Sequence, residues 1–282
     1  MRVLESVPNF SEGRAGGTIE AIGAAIGARA RLLDVHADPD HNRSVFTLVG
    51  GDRELVDALL AGVETARERI DLRRHDGAHP RIGAADVVPI VPIDPGDLDR
   101  ARGVALALGA RIGALGLPVF VYAPPERGAA FYRRGGPAEL QRRLDAGELA
   151  PDFGPARLDP AAGGVIVGAR PPLVALNVDL DGPLAAARAI AAAVREAGGG
   201  FRGVRALGLE LPSAGLVQVS MNIEDWQASP PAEVVARIRS EAAARGLAVA
   251  GVELVGLIPA GAAAGLEGID PSRILEARLA GA

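Results

Sequence analysis

The chain has 282 residues, no cysteine and a formal net charge of −5. The missing cysteine excludes disulfides, thiolate catalysis and zinc–thiolate sites, and the acidic balance argues against nucleic acid as a partner. All 30 basic side chains are arginine, which excludes lysine Schiff bases, covalent pyridoxal phosphate and a P-loop.

Residues 2–7 read as a strand that ends at Pro8-Asn9. Ser11-Glu12 then suits a helix start, with Ile19, Ile22 and Ile26 at helical spacing. Strands are expected at 30–35 and 44–49, joined by the polar turn HADPDHNR. An amphipathic helix over 52–70 places Leu55, Leu59 and Val63 on one face. Next come RRHDGAHPRIGA, a strand over 86–93, a helix over 97–115, a strand over 118–123 and a short helix near 137–146. PDFGPARLDPAAGG is too rich in Pro and Gly for regular structure. Strands at 164–168 and 172–178 bracket ARPP. Beyond it the reading is helix 182–197, strands 204–210 and 215–222, helix 230–245 and strand 248–255. IPAGAAAG and the tail after Pro271 read as helical ends.

The second half thus has the order β-α-β-β-α-β, and the first half repeats it with extra elements late. That order is the split-βαβ, ferredoxin-like arrangement. The expected fold class is α+β: two ferredoxin-like sandwich subdomains, residues 1–170 and 171–282, with a ligand cleft between them. No apolar run reaches the length of a membrane span. MRVLESVPNF lacks the apolar stretch of a signal peptide, so a cytoplasmic protein with no membrane partner is expected.

All four histidines fall between residues 36 and 79. Asp34, His36 and Asp38 form D-x-H-x-D, whose side chains share a face on an extended chain. The pattern resembles the manganese motif of arginase-like ureohydrolases, with Asp179 and Asp181 as a weak second pair. No histidine precedes His36 to complete such a site, and Asp and Asn favour turns. A polar turn therefore ranks first and metal last. His75 and His79 have metal spacing only on a helix, which Gly77 and Pro80 oppose. His79 reads instead as a loop residue able to act as general acid or base, since its ordinary pKa of about 6.5 lets it give and take a proton near neutrality.

VPNFSEGR at 7–14, DHNRSV at 40–45 and HDGAHPRIGAADVVPIVPI from His75 resemble glutamate formiminotransferase, which also forms the N-terminal part of formiminotransferase-cyclodeaminase. PDFGP at 151–155, GARPPLVALNVDL, VQVSMNIEDW and GVELVGLIP extend the resemblance along nearly the whole chain. It implies the same double ferredoxin-like fold. It also implies transfer of a formimino group from N-formimino-L-glutamate to N5 of tetrahydrofolate, in one-carbon metabolism and histidine degradation. Tetrahydrofolate is then the co-substrate, without a metal, and the protein is a homodimer lacking the cyclodeaminase domain.

GAHPR matches the family's G-E-H-P-R, which makes His79 catalytic. The folate-binding loop corresponds to Gly154, Pro155, Ala156, Arg157, Leu158, Asp159, Pro160, Ala161, Ala162 and Gly163. Three departures bear on the substrate, and leave formimino or formyl transfer open. Ala78 replaces the motif's glutamate, His36 stands where some members carry an aspartate, and the loop lacks the aromatic and serine residues of some relatives.

Both substrates carry carboxylates, which arginine grips with paired hydrogen bonds. Arg43 and Arg81, beside the histidines, are the first candidates and Arg14 a weaker one. Any polyglutamate tail must also be met by arginine. Asn9, His41 and Ser11 are candidate substrate contacts, although helix capping explains Ser11 equally well. The competing reading is a manganese-dependent amidine hydrolase using Asp34, His36 and Asp38. A third is a non-catalytic folate-binding protein on the same scaffold.

Overall fold

The structure, a computed structural model, describes residues 3–122 and 127–281. Arg2 and Ala123, at the ends of two expected strands, lie outside the described residues. The chain divides into two compact units, Met1–Pro171 and Pro172–Ala282.

The first unit begins with β1 (Leu4–Ser6) and β2 (Asn9–Phe10), followed by α1 (Gly16–Gly27), β3 (Arg31–Asp38), β4 (Arg43–Gly50), α2 (Asp52–Arg69) and β5 (Ala85–Pro92). β1 and β2 are one strand interrupted at Val7-Pro8. Pro8 has no N–H to give the ladder, but its carbonyl accepts from Phe46 N–H (3.0 Å) and pairing resumes at Asn9↔Val45. The expected stop at Pro8-Asn9 is thus only a break, and it carries Asn9 forward onto β4. The order β3-β4-β1/β2-β5 is antiparallel throughout, which is the ferredoxin-like pattern. Helix α3 (Leu98–Ala114), β6 (Val119–Val121), α4 (Ala129–Arg133), α5 (Gly136–Asp145) and β7 (Val165–Ala169) follow. β7 adds parallel to β5, and β6 parallel to β7.

Leu55, Leu59 and Val63 of α2 are buried as their spacing predicts, against Phe10, Ile26, Phe46 and Ile90. Burial of each large side chain is worth about 1.5–3 kcal/mol. Glu54 holds the helix start by accepting from Gly51 N–H at 2.8 Å. A satellite cluster of Ile82, Phe120, Tyr132, Leu140 and Ile166 seats α4 and α5 on the added strands.

The second unit has β8 (Val174–Asp181), α6 (Leu184–Val194), β9 (Val204–Leu211), β10 (Leu216–Ile223), α7 (Pro231–Ala243) and β11 (Ala248–Val255), then α8 (Ala260–Ala263) and α9 (Leu275–Ala280). Its sheet order, β11-β8-β10-β9, is again ferredoxin-like. β8 starts two residues later than expected and runs on to Asp181. Pro171 and Pro172 cannot donate to a ladder, whereas Asn177 to Leu180 pair with both neighbours and Asp181 with β11.

Candidate functional site

Three of the four histidines, His41, His75 and His79, lie in two connections of the first unit, the β3–β4 turn at 39–42 and the loop 70–84 between α2 and β5, while His36 lies on β3. The turn is built by Asp38, whose Oδ1 accepts from the N–H groups of Asp40 (2.8 Å) and His41 (2.9 Å). Its Oδ2 lies 3.1 Å from His41 Nδ1. Asn42 is the one non-glycine with positive φ among the described residues, a conformation Asn tolerates. It staples three segments, accepting from Gly13 N–H (2.9 Å) and donating to the Asp76 carbonyl (2.8 Å).

The loop 70–84 is not helical beyond the short turn Leu72–Arg74. Its tip lies on the β3–β4 turn so closely that a Cβ on Gly77 would stand 2.5 Å from the His41 carbonyl oxygen. Arg81 makes this fit by donating to the carbonyls of His79 (2.6 Å) and His41 (3.0 Å). It also lies 2.6 Å from His75 Nδ1. Its donors therefore hold the loop, where the sequence reading had them gripping a carboxylate. Burial lowers the Arg81 guanidinium to about 10, and burial and then Arg81 lower His75 below the ordinary histidine range.

His79 stands at the centre. Its Nδ1 lies 2.7 Å from Arg43 Nη1 and 2.8 Å from the Pro80 carbonyl oxygen. Nε2 carries no hydrogen bond among the described residues. The His41 ring is 6.1 Å away, centroid to centroid. Dense packing, and then the charges of Arg43 and Arg133, hold the imidazole well below its ordinary pKa. At neutral pH the ring is an uncharged base.

Arg43, its side chain 14% exposed, is held through Nε and Nη1. Nε donates to Asn9 Oδ1 (2.9 Å) and Nη1 reaches Asp86 Oδ2 (3.2 Å). Burial brings it down to about 9, against the support of Asp86. Asp86 is 1% exposed at the start of β5. Its Oδ1 accepts from Ile82 N–H (2.9 Å), and its Oδ2 also accepts from Arg133 Nη2 of α4 (2.5 Å).

Asp86 and Arg133 were missed by reasoning from sequence. An acid opening an apolar strand, as in ADVVPIVP, was a usable sign for Asp86. Arg133, on a short helix far along the chain, gave none.

The loop 151–163 comes to the same place. Asp159 Oδ1 accepts from Ala161 and Ala162 N–H, both at 2.9 Å. Ala84 N–H donates to the Ala162 carbonyl (2.8 Å) and Gly164 N–H to the Ile82 carbonyl (3.0 Å). Gly163, at φ +70°, allows this approach, since a Cβ there would lie 2.0 Å from the Ile82 oxygen. Gly154 through Arg157 stay exposed while Leu158, Ala162 and Gly163 are buried.

The remaining candidates are spent on structure. Ser11 does not cap α1, which begins at Gly16. Its Oγ donates to the Gly83 carbonyl (2.7 Å). Arg14 pairs with Asp76 (2.7 Å) and donates to the Pro39 carbonyl (2.8 Å). Asp38 belongs to the turn, and no group of three His, Asp or Glu among the described residues is arranged to hold a metal ion. Asp34 and His36 lie within β3, opposite Thr47 and Val45 of β4, so the polar turn expected to begin at His36 starts only after Asp38. No described helix is long and apolar enough to cross a membrane.

Residues 3–170 match the formiminotransferase domain, N-terminal subdomain, and residues 175–265 the formiminotransferase domain. The chain is 38% identical to the glutamate formimidoyltransferase of Thermoplasma acidophilum, over 99% of this chain and 98% of that one. It is 37% identical to the glutamate formimidoyltransferase of Streptococcus pyogenes, covering 92% and 90%. It is also 37% identical to the formimidoyltransferase-cyclodeaminase of Rattus norvegicus, over 92% of this chain and 50% of the longer rat protein.

Proposed function

The chain belongs to the formiminotransferase family, and we propose that it is a glutamate formimidoyltransferase, moving the formimino group of N-formimino-L-glutamate to N5 of tetrahydrofolate with His79 as acid and base. The end-to-end similarity to two glutamate formimidoyltransferases carries the reading. The state of His79 suits the chemistry.

The N5 amine attacks the formimino carbon, a tetrahedral intermediate forms, and the glutamate amine departs. An amine leaves well only when protonated, so one group must carry a proton between the two nitrogens. His79 Nε2, neutral at rest and without a hydrogen bond among the described residues, takes the N5 proton and returns it to the leaving nitrogen. No redox partner enters this balance. Holding both substrates together supplies much of the remaining acceleration, up to about 7–11 kcal/mol in favourable cases.

Tetrahydrofolate is assigned to the loop from Gly154 to Gly163. The hydrogen bonds from that loop and its end to residues 82–84 support this, because they bring it beside the His79 segment. Arg43 and His41 border the imidazole and Asn9 holds Arg43; all three are assigned to the donor side, with Arg81 supporting the loop beneath them. Residues 1–170 and 171–282 are taken as the two subdomains.

The test is transfer from formiminoglutamate to tetrahydrofolate, measured in EDTA, for the native protein and His79→Ala. The native protein should be active with chelator present. The variant should lose about 10²–10⁴-fold in kcat while keeping its circular dichroism. Native-like turnover by the variant would remove His79 from the chemistry. A folded native protein that transfers nothing would refute the assigned reaction.

A further inference from the structure

We propose that Arg133 is a specificity-determining residue for the donor: together with Arg43 it receives the α-carboxylate of N-formimino-L-glutamate beside His79. This assignment rests on the proposed transfer and names the group of the donor that Arg133 reads.

Two mostly buried guanidiniums meet at one carboxylate. Asp86 Oδ2 accepts from Arg43 Nη1 at 3.2 Å and from Arg133 Nη2 at 2.5 Å. The Asp86 side chain is 1% exposed, while those of Arg43 and Arg133 keep 14% and 13% open. Charge held this deep needs a partner, and here two cations share one anion. Burial and then the charge of Arg133 bring Arg43 down to about 9, against the support of Asp86. A carboxylate arriving with the substrate relieves that surplus.

Donors for it are in place. Arg133 gives the protein its Nη2 bond to Asp86, and its Nε has no acceptor among the described residues. Arg43 spends Nε on Asn9 and Nη1 on His79 and Asp86, which leaves Nη2. Arg81 cannot serve, because all three of its nitrogens hold the histidine loop. The two oxygens of a carboxylate suffice to bridge a pair of guanidiniums.

Chemistry selects which carboxylate binds. Arg43 Nη1 lies 2.7 Å from His79 Nδ1, so an anion on this pair sits next to the imidazole. In the donor, the α-carboxylate and the leaving nitrogen are attached to the same carbon. An α-carboxylate on Arg43 and Arg133 therefore brings that nitrogen to the ring that must protonate it. The γ-carboxylate is held away by the side-chain methylenes. The glutamate of tetrahydrofolate is separated from N5 by the aminobenzoyl ring, so it cannot lie here while N5 does.

The experiment measures donor binding by calorimetry in the whole protein without folate, beside steady-state KM and kcat. The probes are N-formimino-L-glutamate and N-formimino-4-aminobutyrate, which lacks only the α-carboxylate. The native protein should bind the truncated donor roughly 10–100-fold more weakly, as for one charge-assisted hydrogen bond. Arg133→Gln should weaken N-formimino-L-glutamate by a similar factor and leave the truncated donor and the KM for tetrahydrofolate unmoved. With formiminoglutamate, KM should rise by more than kcat falls. A residue that merely braces Asp86 would not produce this selective loss. Equal weakening of both donors, or of neither, overturns the proposal. Should Arg133→Gln not fold, Arg133→Lys decides. Lysine keeps the charge on Asp86 but lacks the forked N–H pair, so the penalty must again fall on formiminoglutamate alone. A native protein that transfers the formimino group yet binds both donors equally overturns the subsite and leaves the reaction standing. Selective binding without transfer refutes the reaction while the subsite stands.

Discussion

The two subdomains carry the same four-stranded sheet order but treat charge in opposite ways. In the first, Glu5, Asp34, His41, Asp86 and Asp97 are buried ionisable groups. In the second, the buried polar side chains among the described residues are neutral: Asn177, Gln218 and Ser229. The connections differ in parallel. Between its second helix and fourth strand the first unit runs through residues 70–84, and the second only through 244–247. Its middle hairpin closes on residues 39–42, carrying His41 and Asn42, where the second closes on Pro212-Ser213-Ala214-Gly215. One scaffold thus hosts chemistry or omits it according to the loops at its edge. Longer connections cost little in closure entropy, but burying charge demands complete pairing.

The largest test of this contrast is truncation of a buried polar group in each half. Asp86→Ala removes the carboxylate that Arg43 and Arg133 share and the acceptor of the Ile82 N–H, and should cost about 3–5 kcal/mol in urea denaturation. Asn177→Ala loses the hydrogen bond to Glu253 (2.9 Å) and should cost about 1 kcal/mol. Equal losses would show that the first unit's charges carry no special burden.

Titration gives a smaller effect. His79 and His75 are both held below the ordinary histidine range when folded, so the unfolded chain binds their protons first as pH falls. Stability should be full above about pH 6.5 and decline below it. The slope per histidine is at most about 1.4 kcal/mol per pH unit, and less because solvent reaches both rings. Thermal melts between pH 7.5 and 5 should show the decline, flattened in His79→Gln. An unchanged slope in that variant would mean the neutral ring costs nothing to hold.

The smallest comparison uses two glycines. Gly246→Ala, at φ +69° with open space around it, should lose about 1 kcal/mol of stability and no activity. Gly77→Ala drives a methyl against the His41 carbonyl and Arg81. It should displace the histidine loop and cut kcat about tenfold or more, with a change in melting temperature no larger than that of Gly246→Ala. Undiminished turnover would show that the close fit of loop to turn is dispensable.

Periodicity and composition were enough to read the double β-α-β-β-α-β order, because apolar spacing reports which face of an element meets the core. Leu55, Leu59 and Val63 are buried as expected for this reason. His79 was legible as a loop residue because Gly77 and Pro80 are incompatible with a helix, and its candidacy was strengthened by the motif around it. The partners of His79 were not legible. Arg43, Asp86 and Arg133 come from β4, β5 and α4, and no local pattern records that their side chains meet. Ser11 and Arg81 show the same limit. Each suited a role by residue type, yet Ser11 donates to Gly83 and Arg81 to the His41 and His79 carbonyls. Sequence alone determined the elements, the absence of thiol and lysine chemistry, and the segment that bears the histidine. Tertiary structure decided which charges surround it. A buried group's protonation and orientation depend on burial and on the nearest charges in space, and those come from segments far apart in the chain.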